Sequence, residues 1–284
     1  MKGVNRAIKW ARGKLRRFSG GFTPDSRIHL YTHHKVATAL MSKVFRDIST
    51  YFGLKFIDAP GYNQNISNSA HIVHYWHSLV SDEIINSKHK GVHVMRDPRD
   101  VIVSGYLYHK RSSEAWCINE NFELSENIVW PQVDFSQEHL SNTEKIDYIN
   151  WLNGNSYQEN IKSLNQNEGL IFEMEGFAGR TISDMINWKR NENIIESKFE
   201  EIIANYDDVW EAIFTHMGFS NENLKLAIEI ARRHDLSRMT EDQIAKDSHI
   251  STGKITKWKD FFSEDVEKEY TERFGSCHLS LGYE

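Results

Sequence analysis

The residues best suited to chemistry stand in two short runs. The first, Thr32-His33-His34-Lys35-Val36-Ala37-Thr38, ends a β-type segment and opens onto a helical one. A turn at the carboxyl end of a strand, leading into a helix amino terminus, gathers unpaired backbone N–H groups and the positive end of a helix dipole, so it suits an anion. Lys35 adds a mobile point charge and Thr38 a hydroxyl donor, although the phosphate-loop pattern GxxxxGK[ST] is absent. In the second run, Val92-His93-Val94-Met95-Arg96-Asp97-Pro98-Arg99-Asp100-Val101-Ile102-Val103-Ser104, a strand delivers Arg96 to its carboxyl end. Asp97 caps the helix that follows, Pro98 sits in its first turn, and Ser104 lies about two turns on. Arginine offers a planar fork matched to phosphate oxygens, and serine adds a hydroxyl contact.

Both runs need strands to deliver them, and the surrounding pattern provides strands. Arg27–Tyr31 reads as a first strand. Thr38–Phe52, with Leu40, Met41, Val44, Phe45, Ile48 and Phe52 near a 3.6-residue period, reads as the helix after it. Residues 54–57, 70–75, 91–95 and 193–199 read as further strands, and 60–69 as a loop rich in Asn, Gly and Ser. Helical patterns fall near 79–86, from Pro98 onward, through 142–188, and at 209–217 and 223–234, before a polar stretch at 237–257. This alternation predicts an α/β fold: a three-layer sandwich with a central parallel sheet wrapped by helices. Residues 112–142 form a long irregular segment, a candidate acceptor lid.

The composition fits one folded domain. The chain has 284 residues, 39% of them hydrophobic and 12% aromatic, and a net charge of −6. Cys117 and Cys277 are its only cysteines, too few for a disulfide framework. Lys2, Arg6, Lys9, Arg12, Lys14, Arg16 and Arg17 contribute +7 before the first acidic residue, so the rest carries −13. Residues 1–25 therefore read as a basic extension and 26–284 as the domain. With Trp10, Leu15 and Phe18, residues 1–18 could touch an anionic membrane weakly; a solvated tail is the plainer reading. No interior basic face with interleaved aromatics points to nucleic acid. Without an apolar run of about 18 residues or a cleavable leader, a soluble, cytoplasmic protein is expected.

The run from Arg96 to Ser104 closely resembles the 3′-phosphate-binding signature of sulfotransferases that use 3′-phosphoadenosine 5′-phosphosulfate (PAPS), where an Arg and a Ser eight residues later hold the 3′-phosphate. Lys35, Val36, Ala37 and Thr38 resemble the family's 5′-phosphosulfate loop in order and placement. Lys198-Phe199-Glu200-Glu201-Ile202 is similar to the strand-to-helix motif that sets an aromatic ring, here Phe199, against adenine. The segment from Gly253 and Lys254 through Trp258 to Phe262 resembles the one that closes over the nucleotide. Together these matches span roughly residues 26–275, and the resemblance implies a P-loop-like nucleotide fold.

The resemblance implies in-line transfer of a sulfuryl group from PAPS, as co-substrate, to a hydroxyl or amine of a small-molecule or carbohydrate acceptor. A His acts as general base, Lys35 stabilises the departing phosphate, and no metal takes part. The family's base follows the strand before the Arg strand, where this chain offers His71, His74 and His77. Side chains alternate on a strand, so His74 faces away from His71, while His77, past the strand end, can reach the sheet's carboxyl edge. His77 is the first choice and His74 the second. That divergence, with no Cys nearby, argues against a metal site. His33 and His34, beside the loop, could touch donor or acceptor, and Tyr108 and Trp116 could equally line the acceptor pocket or belong to the core. Glu173 and Glu175 read as solvated carboxylates.

Departures mark a divergent member. Ala37 and Ala39 stand where the loop usually carries glycine and a second Thr, Leu40 replaces a Trp, and Ser251 and Thr252 replace a basic pair. Two rival readings follow. A P-loop-type kinase would need a glycine loop and a magnesium carboxylate. A catalytically inactive nucleotide-binding or membrane-docking module would account for Ala37, Ala39 and the basic start.

Overall fold

Five parallel strands, β1 (Arg27–Tyr31), β2 (Phe56–Ala59), β3 (Ile72–Tyr75), β4 (His89–Met95) and β5 (Ile194–Lys198), form one sheet in the order β2-β3-β1-β4-β5. The computed structural model describes residues 23–62, 66, 67, 69–238 and 255–284, so the basic start and residues 239–254 lie outside the description. The helices are α1 (Thr38–Phe52), α2 (Asp82–Ile85), α3 (Pro98–His109), α4 (Asn142–Trp151), α5 (Tyr157–Ser163), α6 (Gln166–Glu175), α7 (Phe177–Ile186), α8 (Phe199–Ala204), α9 (Tyr206–His216), α10 (Asn221–Arg232), α11 (Trp258–Phe261), α12 (Glu264–Phe274) and α13 (Cys277–Ser280).

Strand alternation divides the core between the two faces of the sheet. Ile28, Leu30 and Ile72 belong to one apolar cluster with Met41, Val44, Phe45 and Ile48 of α1, and the Phe45 ring packs against Trp210 and Phe214 of α9. Tyr31, Val73 and Tyr75 belong to a second cluster, with Ile84 and Ile85 of α2 and the Trp188 ring. β1 is buried from Ile28 to Tyr31, His29 included, because it lies between neighbours and under helices.

Local signals set the element ends. Gly53, at φ 72°, caps α1, and the N–H of Leu54 returns to Ser49 O. Residue 54 is thereby consumed by the helix end, and β2 begins at Phe56 rather than at 54. The helical stretch 142–188 is four helices, and α4, α5 and α6 each start with a capping box: Ser141 with Glu144, Ser156 with Glu159, and Asn165 with Glu168. α3 is buried nearly all round because α5, α6 and α7 enclose it.

Candidate functional site

β1 and β4 are neighbours, with Tyr31 in register with His93, so the loops leaving them start side by side. The chain after β1 departs toward β2, and the chain after β4 goes on to β5 on the opposite side of the sheet. Such a divergence opens a crevice at the carboxyl ends of the two strands. Lys35 and Arg96 meet there: Arg96 Nη1 donates to the Lys35 carbonyl at 3.0 Å.

The turn carrying Lys35 is strained. Lys35 (φ 61°) and Ala37 (φ 59°) both occupy the left-handed region, where a Cβ costs roughly 1–2 kcal/mol. Val36 N–H and Thr38 Oγ1 both donate to His33 O, at 2.9 and 2.8 Å, closing the turn on itself. Ala37 is the N-cap of α1 and gives no side-chain cap, so the first-turn N–H groups receive no side-chain acceptor from it. The Lys35 amine lies over the Tyr108 ring, 3.5 Å from its centroid.

Positive charge accumulates around this turn. Arg96 is 5% exposed, its guanidinium lies 4.8 Å from the Phe199 ring centroid, and its Nε has no hydrogen-bond partner among the described residues. Its nearest carboxylate, Glu200, is 3.9 Å away. Burial, reinforced by the Arg96 charge, lowers Lys35 to about 7 and Lys257 to about 8. Burial disfavours the charged amine, and the neighbouring guanidinium adds to that, so an anion bound beside these lysines would favour their protonated forms.

Lys257 joins from far along the chain. Asp100 Oδ1 accepts from the backbone N–H groups of Lys257 (2.6 Å) and Trp258 (3.1 Å), and the Arg99 guanidinium lies 3.9 Å from the Trp258 ring centroid. Asp97, the N-cap of α3, grips that guanidinium through both oxygens. Ser104, 8% exposed, lies one turn beyond Asp100 on the same helix face. Lys257 and Asp100 were not singled out from sequence, yet signals existed: Lys257 adjoins Trp258, and Asp100 lies inside the Arg96–Ser104 run. The Val36 side chain is fully buried and its N–H is engaged by His33 O, so Val36 sets the shape of the turn. Gly253 and Lys254 lie outside the described residues.

The histidines separate by position. His71 precedes β3 at the amino end of the sheet and accepts from Lys55 N–H at 2.9 Å, away from the crevice. His74 is fully buried between Thr32 Oγ1 (2.9 Å) and Ser42 Oγ (3.0 Å), and burial, with Arg46 nearby, lowers it to about 3. Its ring is neutral and ties the end of β1 to α1. His77, past the end of β3, has Nε2 3.5 Å from Asp134 Oδ1 and its ring parallel to that of His34 at 6.2 Å. Burial lowers its pKa, and the Asp134 and Glu114 charges oppose that shift.

One expectation is corrected and one alternative decided. Glu173 is fully buried, bonded to His109 Nδ1 and filling the space a side chain at Gly105 would require; it is not solvated. Trp116 is 4% exposed and stacks on Phe177 at 4.1 Å, so it is core. Glu175 is exposed and pairs with Arg273. Among the described residues, no grouping of His, Cys, Asp and Glu is arranged to hold a metal ion, and no helix is long and apolar enough to cross a membrane.

No curated protein sequence matches the chain. Among solved structures it is similar to mouse sulfotransferase SULT7A1 complexed with PAP, at 14% identity over 90% of this chain and 88% of that one, with a TM-score of 0.47. It is also similar to retinol dehydratase in complex with androsterone and inactive cofactor PAP, at 12% identity over 88% of this chain and 80% of that one, with a TM-score of 0.46. The family model for the sulfotransferase domain matches residues 16–278, nearly the full length, and the chain therefore belongs to the sulfotransferase domain family.

Proposed function

We propose that the protein binds PAPS in the crevice between β1 and β4 and transfers its sulfuryl group to a hydroxyl or amine of a small-molecule or carbohydrate acceptor. The observation that carries this reading is the meeting of Lys35 and Arg96, far apart in sequence, at the carboxyl ends of two neighbouring strands, with Lys257 near enough to feel the Arg96 charge. The residues present fit a nucleotide charged at both ends. Lys35, the backbone from Ala37 into the first turn of α1, and Thr38 once its hydroxyl turns from His33 O would hold the 5′-phosphosulfate, with Val36 shaping the turn around it. Arg96, whose Nε makes no hydrogen bond among the described residues, and Ser104 would hold the 3′-phosphate. Phe199 would flank the adenine, Lys257 adds charge, and Gly253 and Lys254 belong to the segment expected to close over the ligand.

PAPS supplies the activated sulfuryl group. The chain must then balance the charge left on the 5′-phosphate and remove a proton from the acceptor. Lys35 suits the first task, since its amine gains a proton most readily when an anion relieves the surrounding positive field. His77 suits the second: Asp134 stands beside its Nε2, whereas both ring nitrogens of His74 are engaged by hydroxyls.

Titration calorimetry with 3′,5′-adenosine bisphosphate (PAP) tests the binding half. We expect one saturable site, and no heat at millimolar ligand would overturn the reading. Incubation with radiolabelled PAPS and a panel of alcohols, sugars and amines tests the transfer half.

A further inference from the structure

The turn after β1 carries two consecutive histidines, and each begins a chain of two imidazoles that ends on a carboxylate. His33 Nε2 lies 2.8 Å from His93 Nε2, and His93 Nδ1 lies 2.7 Å from Glu196 Oε2. His34 Nε2 lies 3.0 Å from His109 Nε2, and His109 Nδ1 bonds to Glu173 Oε1. The chains differ in where they end. His33 is 1% exposed, so its chain has no outlet at the turn and opens only at Glu196. His34 is half-buried while His109 and Glu173 are fully buried, so the second chain runs from the interior to a ring that stands next to Lys35 and parallel to His77.

Hydrogen-bond roles fix the tautomers of this second chain. An ionised carboxylate only accepts, so His109 Nδ1 carries the hydrogen and His109 Nε2 the lone pair. His34 Nε2 must then donate, which leaves the basic lone pair on His34 Nδ1. Behind it, Glu173 Oε2 is buried without a hydrogen-bond partner among the described residues. A buried carboxylate so sparsely satisfied is costly to maintain and gains most when a positive charge forms beside it. A carboxylate that orients an imidazole and stabilises its protonated form is the logic of hydrolase triads, here lengthened by one ring.

We propose that His34 is a second proton acceptor of the site, sharing the acceptor's hydroxyl with His77, and that His109 and Glu173 are positioning residues behind it. This rests on the sulfuryl-transfer reading above. As the acceptor oxygen forms its bond to sulfur, the bond from sulfur to the 5′-phosphate oxygen breaks and that oxygen keeps the electron pair. The acceptor proton goes to His34 Nδ1, the proton on His34 Nε2 passes to His109 Nε2, and the positive charge comes to rest on His109 against Glu173.

Water and ethanol serve as acceptor probes with radiolabelled PAPS, alongside PAP titration. Glu173→Gln keeps a hydrogen-bond acceptor for His109 but removes the charge; kcat should fall at least about tenfold with PAP affinity and the KM for PAPS unchanged. His34→Ala should fall similarly and regain activity with imidazole in solution, and the His34→Ala/His77→Ala double variant should fall to background. Full turnover by folded Glu173→Gln, or a loss of kcat and PAP affinity in parallel, would overturn the proposal while leaving sulfuryl transfer intact. If the unmodified protein binds PAP yet moves label to no acceptor, the transfer reading fails and this assignment with it. Should Glu173→Gln not fold, nitrogen NMR of the unmodified protein decides: hydrogen on His34 Nε2 and His109 Nδ1 is expected, and the opposite tautomers would overturn the relay.

Discussion

At the Lys35–Arg96 end of the crevice, cations face one another with Glu200 standing 3.9 Å off, and two lysines are pushed toward neutrality. At the histidine end, each chain closes on an acid: His77 lies beside Asp134, and His109 is bonded to Glu173. Grouped cations are what a polyanion fills on binding; an imidazole beside a carboxylate receives a proton by passing from a net charge of −1 to a neutral ion pair. Binding and proton transfer are thus assigned to separate groups, and variants at one end should leave the other end's task in place.

The largest effect is expected at the histidine end. His77→Ala should lower turnover by roughly 10²–10⁴-fold while PAP binds as before, read by initial rates and calorimetry on one preparation. A matching loss of PAP affinity would merge the two ends. Conversely, Arg96→Ala should weaken PAP by about a hundredfold, because a buried charge-assisted contact is lost and Glu200 is left facing the ligand. Unchanged PAP affinity would remove Arg96 from the phosphate site.

A smaller effect concerns pH. Lys35 titrates at about 7 in the free protein, and a bound phosphate must raise it. Above that pH, PAP binding takes up a proton, and affinity falls by at most about tenfold per pH unit. Calorimetry in buffers of different ionisation heat reads the uptake, and none at mildly alkaline pH would place the phosphate elsewhere. Linkage also gives the sign for folding. The unfolded chain, with lysine at its ordinary value, holds more protons than the folded chain from pH about 7 to about 10. The ligand-free protein therefore gains stability as pH rises through that window, and Lys35→Met should flatten the slope. The smallest effect is Ala37→Gly, expected to stabilise by about 1 kcal/mol once relief of left-handed strain is set against the freer unfolded chain. Thermal melts would show a modest rise, and a fall would mean that the Ala37 methyl group packs usefully.

Much of this was legible because it is local. Asp97 and Pro98 announce the start of α3, the period of Met41, Val44, Phe45 and Ile48 announces the buried face of α1, and Lys35 stands where a strand gives way to a helix. The departure at Ala37 was legible too, and its φ of 59° gives the reason glycine would suit that position. Less could be read where packing overrides pattern. Residues 112–142 read as a lid, yet Trp116, Cys117, Ile128 and Val133 are buried, so the segment is partly core while its Asp134 reaches His77.

By itself, the sequence determined the alternation of strands and helices, the caps, and the placing of Lys35 and Arg96 at strand ends, since these depend on neighbours a few residues away. Only the tertiary structure decided that β1 and β4 lie side by side, that Asp100 draws in Lys257, and that Glu173 is sealed behind His109 rather than hydrated. Those outcomes depend on strand order and on which helix faces meet, and such contacts between distant segments leave no periodic trace in the chain.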